Sequence, residues 1–152
     1  MEQFASVEDI LDFAIDSEQK AVDLYTDLAQ KAKNPGIKAA FEEYANEERG
    51  HKAKLTEVKE GKRALVLPQK AVQDLKIGDY LVSPEPDQDT DYQDVLIFAM
   101  KKEKAAFKLY TDLAELCEPG DIRDLLLSLA QEEAKHKLRF EIEYDDNIYQ
   151  EN

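Results

Sequence analysis

Two short stretches carry side chains of the kinds that can bind metal ions, Glu48-Arg49-Gly50-His51 and Glu133-Ala134-Lys135-His136, set 85 residues apart. Their imidazoles are the only two histidines in the 152-residue chain. On an α-helix, positions i and i+3 share one face, with about 4.5 Å of rise between them. A carboxylate and an imidazole presented together in this way can hold one metal ion or help to bridge two. One Glu-x-x-His says little in a chain rich in glutamate. Two in register, using both histidines, point to a metal centre.

Such pairs need helices to position them. Ser6 followed by Asp9 reads as a helix N-cap with an acidic first turn. Apolar residues then recur with helical spacing at Ile10, Leu11, Ala14, Ala21, Val22, Tyr25 and Leu28, and Glu18 is the acidic residue inside that stripe. Asn34-Pro35-Gly36 breaks the pattern, with Asn34 as the cap and Pro35 as the first residue of the next helix. That helix carries Phe41, Tyr44, Ala45, Glu48, His51 and Leu55 and fades near Gly61. So short a break predicts an antiparallel helical hairpin. Residues 62–90 read as a long crossover, with one or two helical turns from Gln69 to Leu75, a polar extended piece at Ser83 to Asp87, and packing through Leu65, Leu67, Leu75, Ile77, Tyr80 and Leu81.

A second hairpin then repeats the first at the same offset of 85. Asp91 and Asp94 take the places of Ser6 and Asp9, and the run Leu24 to Ala29 returns unchanged at Leu109 to Ala114. Without a gap, 18 of the 53 positions from Glu8 to Glu60 match their partners, which makes an internal duplication the best explanation. The expected organisation is one all-α domain over 1–152, a four-helix bundle with helices at about 7–33, 35–60, 91–117 and 121–146. Asp145 to Asn152 are expected to fray.

Each hairpin thus supplies one glutamate from its first helix, Glu18 or Glu103, and a Glu-x-x-His from its second. Taken alone, either glutamate reads as a surface residue. Packed face to face, the hairpins would bring four carboxylates and two imidazoles inside the bundle. Buried carboxylates without partners cost several kcal/mol each, and two divalent cations neutralise four of them. Oxygen-rich ligation with one imidazole per metal suits iron, or manganese, better than copper or a structural zinc. Tyr25 and Tyr110 lie seven residues, two turns, beyond Glu18 and Glu103, so they face the same interior with hydroxyls that need partners, and a metal-binding carboxylate is the natural one. Glu47 and Glu132, next to the motif glutamates, read as solvated.

Composition narrows the classes. Charged residues make up 36% of the chain and the hydrophobic set 43%, with five glycines and five prolines, a balance that fits a largely helical globular protein. A net charge of −14 argues against nucleic-acid binding. No apolar run approaches the roughly 20 residues that span a membrane. Met1 to Ala5 show no basic region leading into a long apolar core, so a cytoplasmic location is expected. Cys117 is the only cysteine, which rules out an intramolecular disulfide or a cysteine-ligated iron–sulfur cluster within this sequence. It reads as a half-buried residue near a helix end.

The paired Glu and Glu-x-x-His pattern, with a Tyr two turns on, resembles the ferritin-like superfamily and, within it, the diiron domain of the rubrerythrins. The resemblance covers essentially the whole chain. It implies Glu48 and Glu133 as bridging ligands, Glu18 and Glu103 as terminal carboxylates, and His51 and His136 each capping one of two iron ions, with Mn or mixed Fe/Mn as alternatives. It also implies an oxidoreductase that reduces hydrogen peroxide or O2. One cysteine cannot build the four-thiolate iron site of a rubredoxin, so electrons are expected from an external donor such as a rubredoxin-like protein. A homodimer is the family expectation. Rubrerythrins carry an additional Glu one turn after the third-helix ligand; here that position is Ala106, and its counterpart is Ala21. The resulting symmetric ligand set is of the kind seen in bacterioferritins, so ferroxidase and iron-buffering activity is the main rival reading. A bundle whose metal is purely structural is the third.

Overall fold

Capping chemistry fixes where the helices begin. Ser6 Oγ accepts from the Asp9 amide at 3.2 Å while Asp9 Oδ2 accepts from the Ala5 amide at 3.0 Å, a reciprocal cap that starts α1, Val7–Lys31. Asn34 Oδ1 accepts from the amides of Gly36 and Ile37, and Pro35 opens α2, Pro35–Lys59. Gly61 closes α2 at φ +84°, a left-handed position that costs glycine nothing. Asp91 Oδ1 caps α4, Tyr92–Leu116, through the Asp94 amide at 2.9 Å. Between the hairpins lie the short α3, Gln69–Asp74, and a 3₁₀ turn, Ile77–Tyr80; the last helix, α5, runs Asp121–Glu151. This computed structural model describes residues 3–61 and 64–151, with side chains through 146. The readings that fall on Met1, Glu2, Lys62, Arg63 and Asn152 lie outside the described residues.

The four long helices form a four-helix bundle, α1 pairing with α2 and α4 with α5. Two apolar clusters fill its ends. At one end Ile10 and Leu11 of α1 meet Leu55 of α2, Leu113 of α4 and Leu126 of α5. At the other, Val22 and Leu28 meet Phe41, Val95, Leu96 and Phe140. The start of α1 therefore lies beside the end of α4, and the end of α2 beside the start of α5. α2 finishes at the first end and α4 begins at the second, so the crossover must travel the length of the bundle.

That crossover is anchored rather than loose. Leu67, Val72, Ile77 and Tyr80 are buried in the first cluster with Phe4. Tyr80 also donates to Asp112 Oδ2 at 2.7 Å. Leu81, expected to pack, is 61% exposed, because the chain leaves the 3₁₀ turn in an extended conformation one residue after the last buried side chain. The end of α5 also departs from expectation: Asp145 to Glu151 stay helical instead of fraying. Tyr144 packs against the second cluster, which ties down the turn from which this last stretch continues. Among the described residues no helix is long and apolar enough to cross a membrane.

Candidate metal centre

Between the two apolar clusters lies a layer of six buried polar side chains: Glu18 from α1, Glu48 and His51 from α2, Glu103 from α4, Glu133 and His136 from α5. Each is at most 2% exposed. Each sits near the middle of a long helix whose flanking turns are apolar, so the packing that buries the clusters also buries the layer.

The six residues form two overlapping sets. Glu18, Glu48, His51 and Glu133 bring one ligand atom each to within 4.8 Å of one another, and so do Glu48, Glu103, Glu133 and His136. Glu48 and Glu133 belong to both sets. The histidines turn the same nitrogen inward. His51 Nδ1 lies 3.5 Å from Glu18, 3.3 Å from Glu48 and 3.2 Å from Glu133. His136 Nδ1 lies 3.3 Å from Glu48, 3.7 Å from Glu103 and 3.8 Å from Glu133.

The electrostatics of this layer are those of crowded charges. Burial, and then the Glu48 carboxylate, push Glu18 well above the usual carboxylate range. Burial, Glu103 and Glu18 do the same to Glu133, and burial raises Glu103. Burial alone would raise Glu48 too, but the neighbouring His136 and His51, with Glu133 and Glu18, outweigh it and hold this carboxyl below the usual range. Burial disfavours the imidazolium of His51, yet Glu18 and Glu48 overcome that and push it up to about 11; Glu103 and Glu48 push His136 up to about 10.

The hydrogen-bond inventory tests whether a metal suits this layer. Among the described residues, ten buried side-chain oxygen and nitrogen atoms have no hydrogen-bond partner; nine belong to these six residues, and the tenth is the Tyr25 hydroxyl. Buried polar atoms in folded proteins are nearly always satisfied, so a cluster of orphans needs an explanation. Carboxylate oxygens and imidazole nitrogens pointing at a common space are what a hard or borderline divalent cation takes as ligands. The donor set fits such ions.

The tyrosines behave unequally. Tyr110 donates to Glu18 Oε1 at 2.5 Å, across from α4 to α1. Tyr25, expected to bond a carboxylate likewise, is fully buried with its hydroxyl unpaired, its ring lying edge-on to His136 at 5.9 Å. Tyr44, which the sequence reading used only as part of the apolar stripe, packs its ring 4.3 Å from that of His136. Its counterpart at the offset is Leu129, so no such ring meets His51 from the equivalent place.

Glu47 and Glu132 read as solvated, and they stay partly exposed, yet each also comes near the outer nitrogen of a histidine on the other hairpin. Glu132 Oε1 lies 3.3 Å from His51 Nε2, and Glu47 Oε2 lies 3.5 Å from His136 Nε2. Neither contact is a hydrogen bond, so both outer nitrogens stay unpartnered. The available signal was their recurrence: Glu47 and Glu132 match at the 85-residue offset, like the six inner residues. Cys117 is half-buried at the C-cap of α4 and takes no part in the layer.

Comparison with known proteins agrees with this architecture. The model of the Rubrerythrin family matches residues 9–144. A hypothetical protein from Pyrococcus furiosus has a similar structure, with a TM-score of 0.70 and 28% identity over 92% of this chain and 89% of that one. A second, from Thermotoga maritima, is provisionally described as a ferritin-like diiron-carboxylate protein; it gives a TM-score of 0.74 at 22% identity over 97% and 99% of the two chains, a likeness of fold. No curated protein matches the chain significantly.

Proposed function

The chain belongs to the rubrerythrin family, and from that premise we propose that its buried layer holds two metal ions, most naturally iron, and that the protein is an oxidoreductase reducing hydrogen peroxide or O2 with electrons from an external donor. The observation that carries the reading is the sharing of Glu48 and Glu133 between two four-residue sets. Two separate mononuclear sites would not need common ligands; a dinuclear centre does. Glu48 and Glu133 would then be shared by both ions, while Glu18 with His51 would complete one position and Glu103 with His136 the other.

Iron bound there supplies the redox chemistry, one electron from each ferrous ion, for an overall conversion of hydrogen peroxide, two electrons and two protons into two waters. The chain does the rest. The apolar clusters on either side of the layer exclude bulk water from the centre and so strengthen every electrostatic interaction within it. Both imidazoles face the shared carboxylates with Nδ1. Burial and the Glu18 carboxylate push the Tyr110 hydroxyl well above its usual pKa, so it keeps its proton and donates to Glu18 Oε1, fixing the direction of that carboxylate. An external donor such as a rubredoxin-like protein would restore the electrons.

A second reading, ferroxidase activity with iron buffering, is favoured by Ala106, which leaves each metal position with one terminal carboxylate and no alternative to move towards. Anaerobic loading with Fe(II), followed by stopped-flow mixing with peroxide and separately with O2, tests the proposal. Faster oxidation by peroxide, with iron held at two per chain through repeated turnovers, supports the oxidoreductase. Iron content that grows with each addition supports buffering instead, and redox silence would leave the metal a structural role.

A further inference from the structure

A polar cleft reaches the buried layer. It measures about 530 Å³ and opens between α2 and α5, lined by Glu43, Tyr44 and Glu47 on one side and by Gln131, Glu132, Lys135 and His136 on the other. His136 forms its floor: the side chain is buried, and Nε2 has no hydrogen-bond partner although Glu47 lies 3.5 Å away. Glu47 and Glu132 are 37% and 31% exposed, so they stand between solvent and the imidazoles.

We propose that this cleft is where divalent cations are admitted, with Glu47 and Glu132 forming a transient outer site that captures an ion from solvent before it passes to the inner ligands. The inference rests on the reading that the inner six residues bind metal. Other approaches are unfavourable. Along the bundle axis an ion would have to cross one of the two apolar clusters, and an unpaired charge in such surroundings is prohibitive. On the opposite side, the pocket beside α1 and α4 is lined by Lys20 and Lys102, and Lys102 Nζ lies 3.4 Å from Ser17 Oγ, directly beside the Glu18 position. That pocket also carries Asp23, Asp27, Glu85 and Asp87, so both openings are acidic, but none of the six inner residues lines it. The cleft between α2 and α5 offers three carboxylates against one ammonium, Lys135, and ends on the buried His136. All-oxygen capture suits the hard ions that the inner set also accepts. An acidic mouth with low-dielectric walls also concentrates cations and speeds their arrival.

Anaerobic stopped-flow mixing of metal-free protein with Co(II), followed by the visible absorption of the bound ion, tests this without any turnover. Glu47→Gln/Glu132→Gln should slow second-order uptake by about tenfold or more and weaken its dependence on ionic strength. Saturation should still be reached at two Co(II) per chain. Asp27→Asn/Glu85→Gln removes the same number of charges beside Lys20 and Lys102, and should leave the uptake rate within about twofold of wild type. Glu47→Asp/Glu132→Asp keeps the charges and should keep uptake fast, which separates loss of the site from loss of the fold. Unchanged uptake in the Gln double variant overturns the inference, as does equal slowing in the control. Faster Co(II) release with unchanged uptake would also overturn it, because it would reduce both glutamates to positioning groups for the imidazoles. A wild-type chain that binds no Co(II) refutes the metal-centre reading itself, and this inference with it.

Discussion

Tyr25 and Tyr110 occupy equivalent places in the two hairpins, yet removing their hydroxyls should have opposite consequences. The Tyr110 hydroxyl is buried and donates to Glu18 Oε1 at 2.5 Å. Tyr110→Phe removes that donor and leaves a carboxylate oxygen of a 2% exposed side chain unpaired, beside Glu18 Oε2, which already is. Leaving a buried acceptor unsatisfied costs about 1–3 kcal/mol, so a loss of about 2 kcal/mol is expected in metal-free protein. The Tyr25 hydroxyl has no bond to lose. Tyr25→Phe keeps the ring contacts with Phe140 at 5.2 Å and Tyr44 at 6.4 Å while deleting an unsatisfied buried oxygen. Its stability should equal wild type or exceed it by up to about 1 kcal/mol. For a chain of this length about 1 kcal/mol moves the melting temperature by roughly 2–4 °C, so Tyr110→Phe should melt about 4–8 °C lower. Urea unfolding and thermal melts in the presence of chelator, on both variants, read these differences. Equal losses in the two variants, or a larger loss in Tyr25→Phe, would refute the reasoning.

Other consequences are as direct. His51→Ala and His136→Ala should each weaken one metal position by more than the roughly 10–100-fold typical of outer partners, whereas Glu48→Ala should weaken both; Co(II) titration by calorimetry shows which, and two equal minor effects would count against the assignment. Metal-free protein should lose stability from pH 5 to pH 9. The raised histidines stabilise below about 6.5 and lose that contribution as pH climbs towards their folded values of about 11 and 10, and the raised Glu18, Glu103 and Glu133 lose theirs above their unfolded values; chemical denaturation with and without metal should show the gap widening as pH rises. Ala106→Glu should place a carboxylate one turn from Glu103, stabilise the more highly charged diferric state and lower the reduction potential, which a potentiometric titration measures; an unchanged or higher potential would mean that position 106 does not act on the metals.

The helices and the convergence of the six inner residues were legible because both depend on short-range spacing. Glu48 with His51 and Glu133 with His136 share helical faces by period alone, and the offset of 85 marks Glu18 and Glu103 within otherwise apolar stripes. What the sequence hid depends on how the hairpins meet. Glu47 and Glu132 are exposed by period within their own helices and come near the histidines' outer nitrogens only because α2 faces α5. The unequal tyrosines have the same origin: identical local sequence, Leu24 to Ala29 and Leu109 to Ala114, meets Tyr44 near His136 in one half and Leu129 at the equivalent position in the other. Leu81 misled because hydrophobicity alone does not say which side of an extended crossover faces the bundle.

The central claim is that Glu48 and Glu133 join two metal positions into one centre. Anomalous diffraction at the iron edge, from crystals of the protein loaded anaerobically with Fe(II), addresses it most directly. The account predicts two iron peaks per chain in the layer between the apolar clusters, both contacted by Glu48 and Glu133, one by His51 Nδ1 with Glu18 and the other by His136 Nδ1 with Glu103. A single peak, or two peaks that share no carboxylate, would contradict it.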